Sequence, residues 1–329
     1  MERLKKLRKI DSLKEGEKIK DIFVVKFKKG IAPYSKGYSI TLTLTDSSGK
    51  SIEYKYWGGQ DEAKVKSIYD SIKPDSVILI NGNVSNYQGK PQIVADSNSG
   101  EVKVLTIGEY DESEFIPPQR KDLDEMYSEL IVKINIITNQ KLKDFVAKLF
   151  KEELKENFIK HPGAIQIHHN WVGGLMQHTL EVVEYCEISA KLHPSLDKDL
   201  LIAGALLHDI GKLEELEVTS RIKGSQKGIL LGHLILGIIF VAEKLKGSDI
   251  DNILADKLLH LMASHHGKLE FGSPKEAMIP EALALYYADE MSSKICEMTE
   301  FVKNSKEETE DDFMFKYNKK DSGTNIFLK

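Results

Sequence analysis

The chain has 329 residues, with 46 Lys and Arg against 51 Asp and Glu for a formal net charge of −5, and two cysteines. At ~100–200 residues per domain that length suggests two domains, each able to bury a core, while Cys186 and Cys296, with no Cys-x-x-Cys spacing, exclude a disulfide framework or a thiolate zinc site and fit a reducing, cytoplasmic compartment. The longest near-uninterrupted apolar run, Ile229 to Ala242, has 14 residues and contains His233, short of the ~20 a bilayer span needs, and the charged start MERLKKLRKIDSLKEGEK lacks the apolar core of a secretory signal, so no membrane partner is expected.

Charge divides the chain unevenly. Residues 1–110 carry 19 basic and 14 acidic side chains, residues 111–329 carry 27 and 37, so only the N-terminal part has the sign that attracts a polyanion; a solvated lysine face is the commoner meaning of such an excess. Residues 18–105 read as short strands of period 2: KIKDIFVVKFK, YSITLTLTD, SIEYKYW, VILINGNVS and KPQIVADS, separated by turn chemistry at 47–49, Gly58-Gly59 and Gln88-Gly89. Between the third and fourth lies DEAKVKSIYDSIK, whose apolar residues suit one helical stripe. Three strands, a helix and two strands is the order of an OB barrel, a fold that often binds oligonucleotides, with another small barrel of similar strand count as the alternative. The acidic YDESEFIPPQRKD, with Pro117-Pro118 and no period, reads as a linker. From about Leu123 the pattern is helical, with stretches near 174–192, 197–210, 228–246, 251–266 and 280–303, and a weakly patterned end. The expected organisation is an OB-fold domain over 1–109, a linker over 110–122, connecting helices over 123–160, a helical domain over 161–303 and a tail over 304–329. In fold class this is an N-terminal all-β barrel followed by an all-α bundle.

Histidine is more uneven still, since all ten lie between His161 and His266. His178, the adjacent His208 and Asp209, His233, the pair His265 and His266, and Asp289 each interrupt an apolar helical stretch, where an unpaired imidazole or carboxylate is costly to bury. A lone His on a buried helix is more often a core residue bonded to a carbonyl than a ligand, and His193 and His260 are read that way. Five intrusions in one helical half suggest a shared partner, and a divalent metal accepts both imidazole nitrogen and carboxylate oxygen. Adjacent residues on a helix point about 100° apart, so His208 and Asp209 reach one centre only from a helix end, which Gly211 supplies.

The order His, His-Asp, Asp resembles the HD-domain superfamily of metal-dependent phosphohydrolases, with HDIGK close to its central motif. HHNWVGGLMQHTLEVV, LLHDIGKL, SHHGKLEFGSP and PEALALYYADEMSSK are similar to the YhaM-type 3′→5′ exoribonucleases, and GEKIKDIFVVK, SITLTLTDSSGKSIEYKYW and NVSNYQGKPQI resemble that family's OB domain, from about residue 4 to 303. The resemblance implies one metal held by His178, His208, Asp209 and Asp289, and a second held by His233, His265 and His266 with Asp209 bridging. Mn²⁺ is the first expectation, and Fe²⁺, Co²⁺ and Zn²⁺ suit the same N and O donors. Tyr286-Tyr287 stands where relatives often carry a His, and Asn170 follows His168-His169 at a variable position; neither removes a ligand.

The function so implied is stepwise hydrolysis of single-stranded RNA from its 3′ end to nucleoside 5′-monophosphates, with single-stranded DNA left open as a substrate. Asp209 is expected at the heart of catalysis. Lys212, three residues on, is expected on the metal-facing side to stabilise phosphate charge, its bland alternative being a lysine favourable to the helix dipole. His168 and His169 are expected to touch substrate or to orient ligands. On the barrel, Tyr34, Lys36, Tyr38, Trp57, Tyr87 and Lys90 are the candidates for strand binding, although SIEYKYW must turn one of its two faces, Ile52-Tyr54-Tyr56 or Glu53-Lys55-Trp57, into the core. Two other readings stay open: an HD phosphohydrolase acting on a nucleotide or cyclic dinucleotide, and a nucleic-acid-binding module with a structural metal. The apolar helix over 229–242 suits either domain core or the interface of a homo-oligomer.

Overall fold

The computed structural model describes residues 3–96, 98, 100–165, 169–308, 315–318 and 323–328. They form two compact units, Met1–Pro118 with Val218–Ile222, and Gln119–Glu217 with Lys223–Lys329.

The first unit holds β1 (Lys18–Lys28), β2 (Ala32–Tyr34), β3 (Gly37–Thr45), β4 (Ser51–Trp57), helix α1 (Glu62–Ser71), β5 (Val77–Tyr87), β6 (Lys90–Asp96) and β7 (Val102–Val104). β1 pairs with β3, β3 with β4, β4 in parallel with β6, and β6 with β5, which returns to β1. The five strands therefore close on themselves as an OB barrel, and closure removes the open edges. β2 and β7 are additions that the sequence pattern did not indicate; they pair with β3 and β5. In β4 the alternation resolves cleanly: Ile52, Tyr54 and Tyr56 are buried in the barrel, whereas Glu53, Lys55 and Trp57 are partly exposed.

β1 does not alternate, because both its faces are covered. Phe23 and Val25 fill the barrel, while Ile22 and Val24 pack outside it with Val77, Leu105, Tyr110 and Phe115. The stretch expected to be a linker supplies part of this cover. Tyr110, Phe115 and Ile116 are buried, and Leu4 bonds Glu109 O and Asp111 N across a bridge to Tyr110. An acidic segment without period is thus held by two aromatic anchors instead of hanging free. Nearby, the buried Asp21 carboxylate accepts from the backbone of Leu7 and Arg8 at 3.0 and 2.9 Å and from the Lys6 ammonium at 3.0 Å.

The second unit is built from α2 (Leu123–Ile136), α3 (Gln140–Lys148), α4 (Lys155–Lys160), α5 (Gly174–Leu192), α6 (Lys198–Leu207), α7 (Lys212–Glu215), α8 (Gln226–Leu245), α9 (Asn252–Ser264) and α10 (Pro280–Glu308). Asp122, Asn139, Asp197, Ser225 and Asp251 cap α2, α3, α6, α8 and α9 by accepting a first-turn backbone N–H. One core of Leu, Ile, Val and Phe joins α2 through α6 to α9 and α10. The helical half is not all-α as expected: β8 (Leu216–Val218) pairs with β9 (Ile222–Gly224), and in the tail β10 (Phe315–Asn318) pairs with β11 (Thr324–Phe327). α10 also continues past the expected end at 303.

α8 departs from expectation too, being 20 residues with mean hydropathy 1.9, long and apolar enough by composition to cross a membrane. Gly232 breaks it, at φ 72° and ψ 158°, so the unbroken part, 233–245, falls short of the ~20 residues a span requires.

Asp21→Ala would take from the buried Lys6 ammonium its nearer carboxylate, leaving only Asp46 at 3.9 Å, and from the backbone N–H groups of Leu7, Arg8 and Ile22 their acceptor. Removing one partner of such a pair costs about 3–5 kcal/mol; hydrogen exchange of the β1 amides in the full-length protein should register the loss, and Asp21→Asn should lose less because its amide oxygen still accepts.

Candidate metal centre

The seven ligand-type residues named from the sequence converge in the second unit, delivered mostly by helix ends. His208 is the residue that closes α6 and His265 the one that closes α9. Each folds its ring back so that Nδ1 donates to the carbonyl three residues earlier, Ala205 O and Met262 O, both at 2.8 Å. Those carbonyls have no partner within the helix, so one hydrogen bond both caps the helix and aims the ring. α8 contributes His233 just after the break at Gly232. There His233 N is released from the helix ladder and donates to Glu215 Oε1 at 3.1 Å, as does His233 Nδ1 at 3.1 Å. Gly211 lets this turn approach: a Cβ there would fall 1.9 Å from His233 O. His266 Nδ1 donates to Phe271 O at 3.2 Å, and His178 Nδ1, on α5, lies 2.9 Å from Ser292 Oγ on α10.

All five imidazoles therefore have Nδ1 engaged and turn Nε2 to a common centre, where Asp209 stands buried. Its Oδ2 is 3.4 Å from His178 Nε2, 3.4 Å from His208 Nε2 and 2.6 Å from Lys212 Nζ; its Oδ1 is 3.5 Å from His233 Nε2 and 3.6 Å from His265 Nε2. Asp289 Oδ1 joins the first side, 3.1 Å from His178 Nε2, and His266 the second, its Nε2 3.2 Å from that of His233. Two groups of donors, His178-His208-Asp209 and His233-His265-His266, each lie within 4.8 Å of one another.

Charge is distributed by burial and pairing. Burial works against a charged His178, yet Asp209 and Asp289 outweigh it and hold its pKa up at about 9. His265 is pushed down to about 4 by burial, with Asp209 its main support. Burial raises Asp209, but Lys212 and then His208 keep it well below the usual carboxylate range. Lys212, although buried, is raised by Asp209 and stays a cation. A divalent cation fits these residues: the donors are imidazole nitrogen and carboxylate oxygen, and among the described residues His265 Nε2 is a buried nitrogen with no hydrogen-bond partner.

Other named residues fall elsewhere. His168 lies outside the described residues. His169 is 0% exposed, its Nε2 bonded to Glu181 Oε2 at 3.1 Å and its ring packed between Trp171 and His178, so the expected substrate contact has no surface to act through. On the barrel, Trp57 points outward, its ring 4.6 Å from that of Tyr34 and 4.8 Å below Lys55 Nζ. Lys36 is exposed at the β2–β3 turn, and Tyr38 is half-buried at the start of β3. Tyr87 and Lys90 face each other across the β5–β6 turn, beside the Ser51 end of β4. About 20 Å of strand separates that end from Trp57, so the six candidates form two places.

Sequence reasoning missed the residues that hold the ligands: Glu215 behind His233, Ser292 and Glu181 behind His178, and His161, whose Nε2 donates to Lys212 O at 2.9 Å. Spacing held a signal for two of them. Ser292 follows Asp289, and Glu181 follows His178, by three residues, one helical turn on the same face.

A family model described as "HD domain" matches residues 175–294, and one described as "OB-fold nucleic acid binding domain" matches residues 23–99. The 3'-5' exoribonuclease YhaM of Bacillus licheniformis is 34% identical over 283 residues, 85% of this chain and 86% of its own length. That of Bacillus subtilis is 31% identical over 281 residues, 85% and 86% of the two chains. Among solved structures, a replication protein A heterotrimer bound to ssDNA is 16% identical with a TM-score of 0.20, over 30% of this chain and 63% of that one.

Gly232→Ala isolates the contribution of the break in α8, because a Cβ there meets nothing within 4 Å and the cost is conformational alone. The φ and ψ of Gly232 are essentially reserved to glycine, and forcing alanine into them costs about 1–3 kcal/mol. Thermal unfolding should show that loss, with Gly247→Ala, equally free of contacts and without a positive φ, as the near-neutral control.

Proposed function

The chain belongs to the YhaM family of 3′-5′ exoribonucleases, and we propose, from that membership and the geometry above, how its residues carry out metal-dependent removal of nucleotides from the 3′ end of RNA. The observation that carries the reading is the buried Asp209 carboxylate with one oxygen toward each of two imidazole groups. His178, His208, Asp209 and Asp289 would hold one divalent cation, and His233, His265 and His266 a second, with Asp209 shared. Mn²⁺ is the ion proposed; the donor set also suits Fe²⁺, Co²⁺ and Zn²⁺. Cations so held lower the pKa of a water and offset the charge that builds on the phosphate and the leaving oxygen.

The chain's own groups do the rest. Lys212 keeps a buried positive charge beside Asp209, where it meets a non-bridging phosphate oxygen. The Nδ1 partners hold each imidazole to one orientation, so the centre is ordered before substrate arrives. Water adds to the terminal phosphorus and the bond to the preceding O3′ breaks, giving a nucleoside 5′-monophosphate and a strand with a new 3′-hydroxyl. On the barrel, the outward Trp57 ring with Tyr34 and Lys55 is a platform on which a base stacks while the lysine meets backbone charge. Lys36 and Tyr38 extend it, and Tyr87 with Lys90 form a second contact. Stacking needs no 2′-hydroxyl, so single-stranded DNA is held by the same surfaces.

Metal-stripped protein incubated with 5′-labelled single-stranded RNA, with and without Mn²⁺, should give a ladder shortening from the 3′ end only when the metal is present. Asp209→Ala should abolish it with helical content intact; an intact RNA in every lane overturns the reading.

Trp57→Ala removes one stacking surface, worth about 1–3 kcal/mol per base, so the KM for a long RNA should rise roughly ten-fold or more. Turnover of a small chromogenic phosphodiester should not change, since that substrate spans no barrel.

A further inference from the structure

Four of the five clustered imidazoles have an acceptor that fixes the Nδ1 hydrogen outright: a backbone carbonyl for His208, His265 and His266, and the Glu215 carboxylate for His233. His178 differs. Its Nδ1 meets the hydroxyl of Ser292 at 2.9 Å, and a hydroxyl both donates and accepts, so Ser292 alone does not choose which nitrogen carries the hydrogen. Glu181 makes the choice. Ser292 Oγ donates to Glu181 Oε2 at 2.8 Å, and a carboxylate only accepts, which commits the single hydroxyl hydrogen to that bond. The oxygen then offers His178 a lone pair, Nδ1 must carry its hydrogen, and Nε2 is left to face Asp209 and Asp289.

We propose that Glu181, acting through Ser292, is a positioning residue that sets the tautomer and orientation of His178 for metal binding, with His169 and Gln177 fixing the carboxylate in turn. This inference rests on the reading of His178 as a metal ligand.

The carboxylate is held from both sides. Its Oε2 also accepts from His169 Nε2 at 3.1 Å, and its Oε1 from Gln177 Nε2 at 2.9 Å, while the Gln177 oxygen accepts from the Trp171 indole at 3.1 Å. Every donor in the network points toward Glu181. His169 is itself pinned: it sits at φ 53°, its carbonyl accepts from Gly163 N at 2.7 Å, and a Cβ on Gly174 would fall 1.9 Å from that oxygen. A side chain buried at a strained, glycine-enclosed position and spent on a carboxylate is built to hold something still. Seen from the sequence, α5 and α10 each carry a ligand and its support one turn apart, His178 with Glu181 and Asp289 with Ser292.

The test is Mn²⁺ titration of full-length, metal-stripped protein, read by the electron paramagnetic resonance of free Mn²⁺, for wild type, Glu181→Gln, Ser292→Ala and Ser292→Thr. Loss of a group that orients a ligating histidine weakens metal binding about 10–100-fold, so Glu181→Gln and Ser292→Ala should weaken uptake by that factor, and Ser292→Thr, which keeps the hydroxyl, should restore most of it. At saturating Mn²⁺ the KM for RNA should stay at the wild-type value. Glu181 has 31% of its side chain exposed, so Glu181→Gln keeps the fold and decides the matter if Ser292→Ala does not. Wild-type affinity in a folded Glu181→Gln overturns the relay alone, as does a raised KM with unchanged metal affinity, which would mark a substrate contact. A wild-type protein that takes up no Mn²⁺ overturns the metal-centre reading and the relay with it.

Discussion

A carboxylate buried at 3% exposure among imidazoles is the constraint around which the helical unit is arranged. An unpaired anion at that depth is forbidden by its desolvation cost, so Asp209 exists there only because Lys212 and four imidazole nitrogens surround it. Those partners come from α5, the ends of α6 and α9, the start of α7 and the broken middle of α8. Each of these elements must stop, bend or begin within a few ångströms of one point. The helices are thus organised less by their own length than by where they end.

Ending a helix in a buried place carries its own penalty, since the last carbonyls lack partners. His208 and His265 answer it in the same way, each ring donating Nδ1 to the carbonyl three residues back. Capping and ligand orientation are then one bond, and the ring cannot rotate away from the centre without also uncapping its helix. α8 reaches the equivalent result differently, breaking at Gly232 so that a backbone N–H becomes available to Glu215. Two solutions to one requirement explain why the motif around His233 shares no local pattern with those around His208 and His265.

Much of this was legible beforehand, and the reasons for the gaps are physical. The strands β1, β3, β4, β5 and β6 and the helix α5 announce themselves through period and turn chemistry. The ligand set shows because imidazoles and carboxylates are conspicuous in apolar runs. Ser292 and Glu181 are not conspicuous: a serine costs little to bury and a glutamate on a helix usually faces water, so neither stands out until its partner across α5 and α10 is known. His169 was legible as special but not as to role, because a histidine beside a glycine pair reads the same whether it faces substrate or a buried carboxylate. The stretch over 110–122 misled through composition, since two aromatic anchors, Tyr110 and Phe115, hold a segment whose average character is that of a linker. The tail failed likewise: Asn318, Ile326 and Leu328 are buried, but four-residue strands leave too short a record for periodicity.

The pairing of Leu4 with Glu109 and Asp111 brings the two ends of the barrel's chain side by side. Topologically the strands form a circuit in which residue 4 and residues 109–111 are neighbours in one patch of backbone hydrogen bonding, while a later pass of the chain, Val218–Ile222, joins the same unit, Ser220 Oγ donating to Asp75 O at 2.7 Å. Such a circuit has no privileged starting residue. Its ends can be sealed by a short linker and the chain reopened in the turn after β3, at the exposed Gly49 and Lys50, without disturbing any strand pair.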